Sequence, residues 1–255
     1  MVMKRPKVVT FSTASVDGRM AISPDVLLLW GDERWQALEE PSQTGDWLKA
    51  LHEPQATLEG SGSFVRETDE PAPLPAVDGD VEGLVEDFLP EAVVRRPGHQ
   101  GWFTVVDGRG RVRDWIKDGA VFGEAWQGWH LLVLVAGQTP APYLAYLQRE
   151  SIPYLVAGED QVDLALALEK LKARLGVTSV LSTAGGRLNG ALLRAGLVDE
   201  VNVELLPAII GGRETPSLFD APVLGPGELP ARLRLLSAQV QANGRIWLRY
   251  QVVAA

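Results

Sequence analysis

Residues 177–212 (VTSVLSTAGGRLNGALLRAGLVDEVNVELLPAIIGG) do most to limit what this chain can fold into. The apolar run 177–181 is too short for a helix and β-branched enough for a buried strand. A turn of small residues follows at 182–186. Leu188, Ala191, Leu192 and Ala195 then recur at three- and four-residue spacing, which marks one face of a helix. Gly196 stands where a helix ends in the left-handed conformation. The alternation of 201–205 reads as the next strand. Strand, turn, helix and strand in succession point to a parallel sheet with helices packed on it.

The rest of the chain repeats that grammar. Strands are predicted at 7–14, 55–58, 101–106, 129–136 and 152–157. Helices are predicted at 46–51, 142–149 and 160–175, the last with Val162, Leu164, Ala165, Leu168, Leu171 and Leu175 on an apolar stripe and Gly176 as its stop. Asp32 is placed as the N-cap of a short helix. Trp30 and Trp35 read as core or cleft wall. Segments 231–241 and 245–253 form a final antiparallel pair, with Asn243-Gly244 as a two-residue hairpin. Between the second and third strands, residues 68–100 read as an insertion rich in Pro, Gly and acid, laid down or mobile rather than regularly folded. Over 67–91 the chain carries nine carboxylates and no Lys or Arg.

Three glycine-bearing turns follow predicted strands, at 60–63, 107–110 and 184–189. Free amides at a helix start, with glycines before it, make a place for an anion such as a phosphate. Gly185-Gly186 alone is equally well a tight turn, 59–67 a flexible linker, and Asp107-Gly108 a hairpin turn. A fourth turn, Ser15-Val16-Asp17-Gly18-Arg19, has ordinary Asp-Gly chemistry.

Taken together the motifs are more specific. AGGRLNGALLRAGLVDEVNVELLPAIIGG resembles the signature of the riboflavin-biosynthesis reductase family, and Ser15, Asp17, Gly18, Arg19 and Ala21 resemble its first-strand motif. Gly60-Ser61-Gly62-Ser63, Asp107-Gly108-Arg109-Gly110-Arg111 and Pro216-Ser217-Leu218-Phe219 resemble three further loops of that family. The resemblance implies an α/β, dihydrofolate-reductase-like fold: a mostly parallel central sheet flanked by helices, with a C-terminal antiparallel hairpin, in one reductase domain over residues 1–255. It implies NADPH as cofactor, held by Ser63, Glu67, Gly108, Ala184, Gly185, Gly186, Arg187, Leu188 and Asn189. Ser63 and Glu67 would share a face one helical turn apart. Ser15 and Thr183 would touch substrate, Thr183 standing where the family has an acid. Asp17 is the candidate for orientation or proton handling. The implied reaction is that of 5-amino-6-(5-phosphoribosylamino)uracil reductase, with hydride transfer to the ribosyl C1′, in a cytoplasmic homodimer. A pterin or carbonyl reductase of the same fold, and a non-enzymatic nucleotide-binding protein, are the alternatives. The family's basic substrate-arm residues are not evident here. Gly186→Asp is expected to abolish cofactor binding with little loss of fold.

Composition excludes other classes. There is no cysteine, so disulfides, thiolate zinc sites and a fused zinc deaminase motif are absent from these residues. His52, His99 and His130 are scattered and read as surface or loop residues, so no metal is expected. A net charge of −9 disfavours nucleic acid, whose backbone needs a basic face. No apolar run reaches the length of a membrane span.

Overall fold

The computed structural model describes residues 4–27, 32–38, 44–77, 81–241 and 243–253; Trp30 lies outside them. They form two compact units, one of Met1–Pro6, Gln55–Ser61 and Glu67–Thr178, the other of Lys7–Pro54, Gly62–Arg66 and Ser179–Ala255.

In the first unit four parallel strands, β2 (Ala56–Gly60), β3 (Gly101–Val106), β4 (Trp129–Val135) and β5 (Tyr154–Val156), lie in the order β5-β4-β3-β2. β4 (WHLLVLV) is buried at every position, as a strand covered on both faces must be. Helix α4 (Ala141–Arg149) buries Tyr143, Leu144 and Leu147. Helix α5 (Leu164–Leu175) buries Ala167, Leu168 and Leu171 and stops at Gly176 in the left-handed conformation. α5 starts later than its apolar stripe implies, because the Asp163 carboxylate caps it by accepting from Leu166 N; Val162 is left outside.

The acidic insertion is laid down. Among its described residues are a 3-10 turn, Glu82–Val85, and one α-helical turn, α3 (Glu91–Val94), with little other regular structure. Phe88 and Tyr154 exchange backbone hydrogen bonds, and Asp87 accepts from Val156 N and pairs with Lys170 at 2.8 Å. The insertion thereby covers the outer edge of β5, which would otherwise present unpaired amides.

In the second unit the order is β6-β1-β7-β9-β8. β1 (Lys7–Ser15) runs parallel to β6 (Ser179–Ser182) and β7 (Glu200–Leu206), while β9 (Ile246–Val253) is antiparallel to both β7 and β8 (Arg232–Val240). Helices α1 (Glu33–Gln36), α2 (Thr44–His52) and α6 (Gly186–Arg194) accompany them, and Asp32 caps α1 as expected. Val9, Leu48, Leu181 and Trp247 form one buried cluster. The sheet is thus mostly parallel and flanked by helices, with the C-terminal antiparallel hairpin the sequence implies. That hairpin closes one residue wider than a two-residue Asn-Gly turn. Gln241 donates to Arg245 O, and Gly244 takes φ +81° within the loop.

Of the three histidines, His99 lies in a loop as expected, half-buried before β3, while His52 ends α2 and His130 is in β4. His130 is buried and His52 sits beside Glu200, its Nε2 3.2 Å from the carboxylate. His99 Nδ1 is 3.0 Å from His130 Nδ1. Burial first, with the nearby Arg96 charge adding to it, holds both members of that pair below the usual imidazole range. No cluster of potential metal ligands occurs among the described residues, and no helix among them is long and apolar enough to cross a membrane.

Candidate functional site

Parallel strands end on one edge, and loops leaving that edge are where ligands of α/β sheets sit. In the second unit this brings together the turn after β1, the turn after β6 and the segment after β7. Asp17 organises the first of these. Its carboxylate accepts from Ser15 Oγ at 2.7 Å, Ile210 N at 3.1 Å and Gly211 N at 2.8 Å. The bond from Ser15, and then the two amides, hold its pKa down to about 2. Asp17 is therefore an ionised strut between the β1 turn and the loop after β7, and it carries no proton to give near neutrality. Ser15, expected to touch substrate, is fully buried; its hydroxyl donates to Asp17 and accepts from Arg19 N. That contact is corrected to a role inside the turn. Arg19 reaches Thr215 O at 2.8 Å, tying in the next loop.

Asn189 likewise works inward. It is fully buried, accepts from Ser182 Oγ at 2.8 Å and donates to Ala184 O at 2.8 Å and to Ser12 Oγ at 3.4 Å. The side chain ties together the end of β6, the turn and β1. Ala184 is also fully buried.

Gly186 is glycine for a different reason than the motif implies. A Cβ there would lie 2.0 Å from Ser217 O, and one at Gly190, a helical turn on, 2.8 Å from Asp220 O. Asp220 N donates to Gly186 O. The two glycines clear a track along α6 for the loop 217–221, so Gly186→Asp would damage the fold as well as any ligand site. What α6 does offer is its start: Gly185 occupies the N-cap with no side-chain cap, and Arg187 is exposed on the first turn. Thr183, Gly185 and Leu188 are half-buried beside it.

The first unit has its own edge. Asp107, at the end of β3, is buried and accepts from Arg111 N, Val112 N and Tyr143 Oη, the last at 2.8 Å. It shapes a turn rather than a hairpin, since β3 and β4 are parallel. Burial, then the Asp107 charge, push the Tyr143 hydroxyl far above the usual range, so it stays a donor. Gly108 is half-buried and its carbonyl accepts from Thr139 Oγ1. Glu67 is paired with Arg109 at 2.7 and 3.1 Å. Ser63 is buried and ends a single 3-10 turn, Ser61–Ser63. No helix joins it to Glu67, and the two fall in different compact units.

The model of the RibD C-terminal domain matches residues 6–246. The chain belongs to that family. Among curated relatives, it is 38% identical over 86 residues to the 2,5-diamino-6-ribosylamino-4(3H)-pyrimidinone 5′-phosphate reductase of Methanothermobacter thermautotrophicus, over 34% of this chain and 39% of that one. A protein of the same name from Archaeoglobus fulgidus is 40% identical over 65 residues, 26% of this chain and 29% of the relative. The matched stretches thus span well under half of either relative. Among solved structures, a pyrimidine reductase-like protein of Corynebacterium diphtheriae superposes over 98% of this chain and 93% of its own, with a TM-score of 0.64 at 19% identity. The riboflavin biosynthesis reductase of Saccharomyces cerevisiae gives 0.60 at 14% identity, covering 99% and 92%. These last two likenesses show the fold. Sequence reasoning missed Tyr143, Arg113 and the inward roles of Asn189 and Ser15. The Arg-x-Arg-x-Arg spacing of 109–113 was the signal available for one of them.

Proposed function

We propose that this protein is a pyridine-nucleotide-dependent reductase of a phosphoribosylamino-pyrimidine, working in the cytoplasm as a homodimer, with NADPH as the reductant. The single observation that carries this reading is the start of α6. It is an uncapped helix N-terminus on a glycine, with an exposed arginine beside it, at the carboxyl edge of a parallel strand. Uncapped amides and the helix dipole favour an anion there, and a diphosphate fits that donor set. Gly185, Gly186, Leu188 and Arg187 would hold it, by main-chain amides and one guanidinium. Thr183 would face the substrate.

When bound, the reduced cofactor supplies a hydride, and one proton completes reduction at the ribosyl C1′. The protein's part is placement. Asp17, ionised and held by three donors, fixes the turn after β1 against the loop after β7 and so orients what binds above them; the proton comes from another donor. The curated relatives are named for the diamino-pyrimidinone rather than the uracil, and we place the undeaminated compound first among substrates. The exposed leucines of β8, Leu233, Leu235 and Leu236, are the surface we assign to the dimer, since an uncovered edge strand invites pairing.

Growth without riboflavin of a strain lacking its own pyrimidine reductase tests the substrate. Rescue by this gene is expected. No rescue by well-expressed, folded protein contradicts the pyrimidine reading and leaves the pterin or carbonyl alternative in its place.

A further inference from the structure

His99 and His130 take no part in the site described above, yet they are joined to each other. Their Nδ1 atoms are 3.0 Å apart, and the rings lie within 20° of one plane with centroids 5.3 Å apart. The nitrogens are closer than the centroids by the two ring radii, so they sit on the line between the rings. The contact is therefore edge to edge, with one Nδ1–H donating to the bare Nδ1 of the other ring.

This bond fastens the end of the acidic insertion to the sheet. His130 belongs to β4, and His99 to the loop between α3 and β3. The loop has few other holds. Gln100 N donates to Gly128 O at 2.8 Å, and the His99 ring lies against Trp102 with centroids 4.4 Å apart. Arg95, Pro97, Gly98 and Gln100 are exposed. A segment with so little buried surface opens locally at small cost, and the imidazole pair is what keeps it down.

Such a bond takes up one added proton, which the two rings share, but not two. With both rings charged, one N–H would face another. The surrounding charges add to that cost. Arg96, from the same loop, acts against charge on either ring, while Asp118 favours it on His130 alone. Asp118 bridges His130 by its backbone, and its neighbour Lys117 is turned to Glu150. Trp102 and Gln100 bring no charge. In a released loop His99 returns to the ordinary imidazole value of 6.5. The latched form is therefore fully stable above that pH and loses stability as pH falls below it.

We propose that His99 and His130 form an acid-released latch, which closes residues 95–100 onto β4 near neutrality and lets them go when both rings are protonated. The proposal is independent of the reductase reading, because neither ring belongs to the α6 site.

The test is hydrogen exchange by mass spectrometry on the full chain at about pH 7.5 and about pH 5.5, with each rate divided by that of an unstructured peptide at the same pH. Protection of the segment 95–100 is expected to fall about tenfold or more at the lower pH, while that of α4 stays within about twofold. Two variants, each checked by a thermal melt, repeat the measurement. His99→Gln keeps an amide beside His130 but takes no charge, and should abolish the pH dependence. Arg96→Gln removes the neighbouring cation, and should move the opening to lower pH. If His99→Gln is open at both pH values, the Arg96→Gln arm decides: a lowered opening pH supports the latch, and an unmoved one overturns it. Equal protection of the unsubstituted chain at the two pH values, or the same loss in all three proteins, also overturns it.

Discussion

Gly186 shows how a motif residue acquires a purely steric reason to exist. Its missing Cβ lets Ser217 O approach to what would be 2.0 Å of a side chain, closer than any real contact. Gly186→Ala is therefore expected to cost about 1–3 kcal/mol, the range for forcing atoms into filled space, read as a lowered denaturant midpoint with unchanged slope. Stability equal to wild type would show that the loop 217–221 moves aside freely. Asp17 gives a pH-dependent counterpart. Its folded pKa is depressed from 3.8 to about 2, chiefly by the Ser15 hydroxyl. A depressed acid contributes stability that is fully present above the unfolded value and lost as pH falls through the folded one. Asp17→Asn should remove the part of the acid transition lying between pH 3.8 and about 2, and should leave the slope of stability against pH near neutrality unchanged. An acid-limb pKa in the activity profile that shifts in Asp17→Asn would contradict its assignment as an ionised strut.

At the scale of elements, the hairpin β8–β9 is fastened to β7 by the Arg249–Glu200 pair and, at its loop end, by a more deeply buried ion pair. Arg245 NH1 lies 3.2 Å from Glu204 Oε2 of β7, both side chains almost wholly buried. Glu204 Oε1 also accepts from Thr44 of α2 at 2.7 Å and from Gln241, and Arg245 reaches Leu38 O. Removing one partner of such a pair strands a buried charge. Arg245→Met should destabilise by about 3–5 kcal/mol, and adding Glu204→Gln should restore part of it; strict additivity of the two would contradict coupling. Of these elements the strands and helices were legible, because hydrophobic period and caps are local: Asp32, Gly176 and Gly196 all sit where the sequence places a helix boundary, the two glycines at φ +71° and +66°. The start of α5 and the width of the last hairpin were not, because Asp163 and the Gln241–Arg245 pairing decide them by geometry that no period encodes.

Across the whole molecule the acidic charge is distributed with a purpose that only the fold reveals. The run 67–91 has no basic residue of its own, yet Arg109, Arg111 and Lys170 meet Glu67 and Asp87 from distant parts of the chain. Long-range partners are what sequence spacing cannot supply, and the same limit governs the candidate site. Motif positions 15, 17, 184, 186 and 189 all fall in the loops at the ends of β1 and β6 or on the start of α6. Whether each side chain faces a ligand or its own backbone depends on burial, and for Ser15, Ala184 and Asn189 burial is complete. In the function proposed above, the exposed remainder of these loops serves a reductase. The direct measurement is NADPH consumption by the purified protein with 2,5-diamino-6-ribosylamino-4(3H)-pyrimidinone 5′-phosphate. One NADPH oxidised per ribitylamino product formed is expected, with turnover lost in Arg187→Glu. Folded protein that binds the dinucleotide and the pyrimidine but oxidises no NADPH would contradict it.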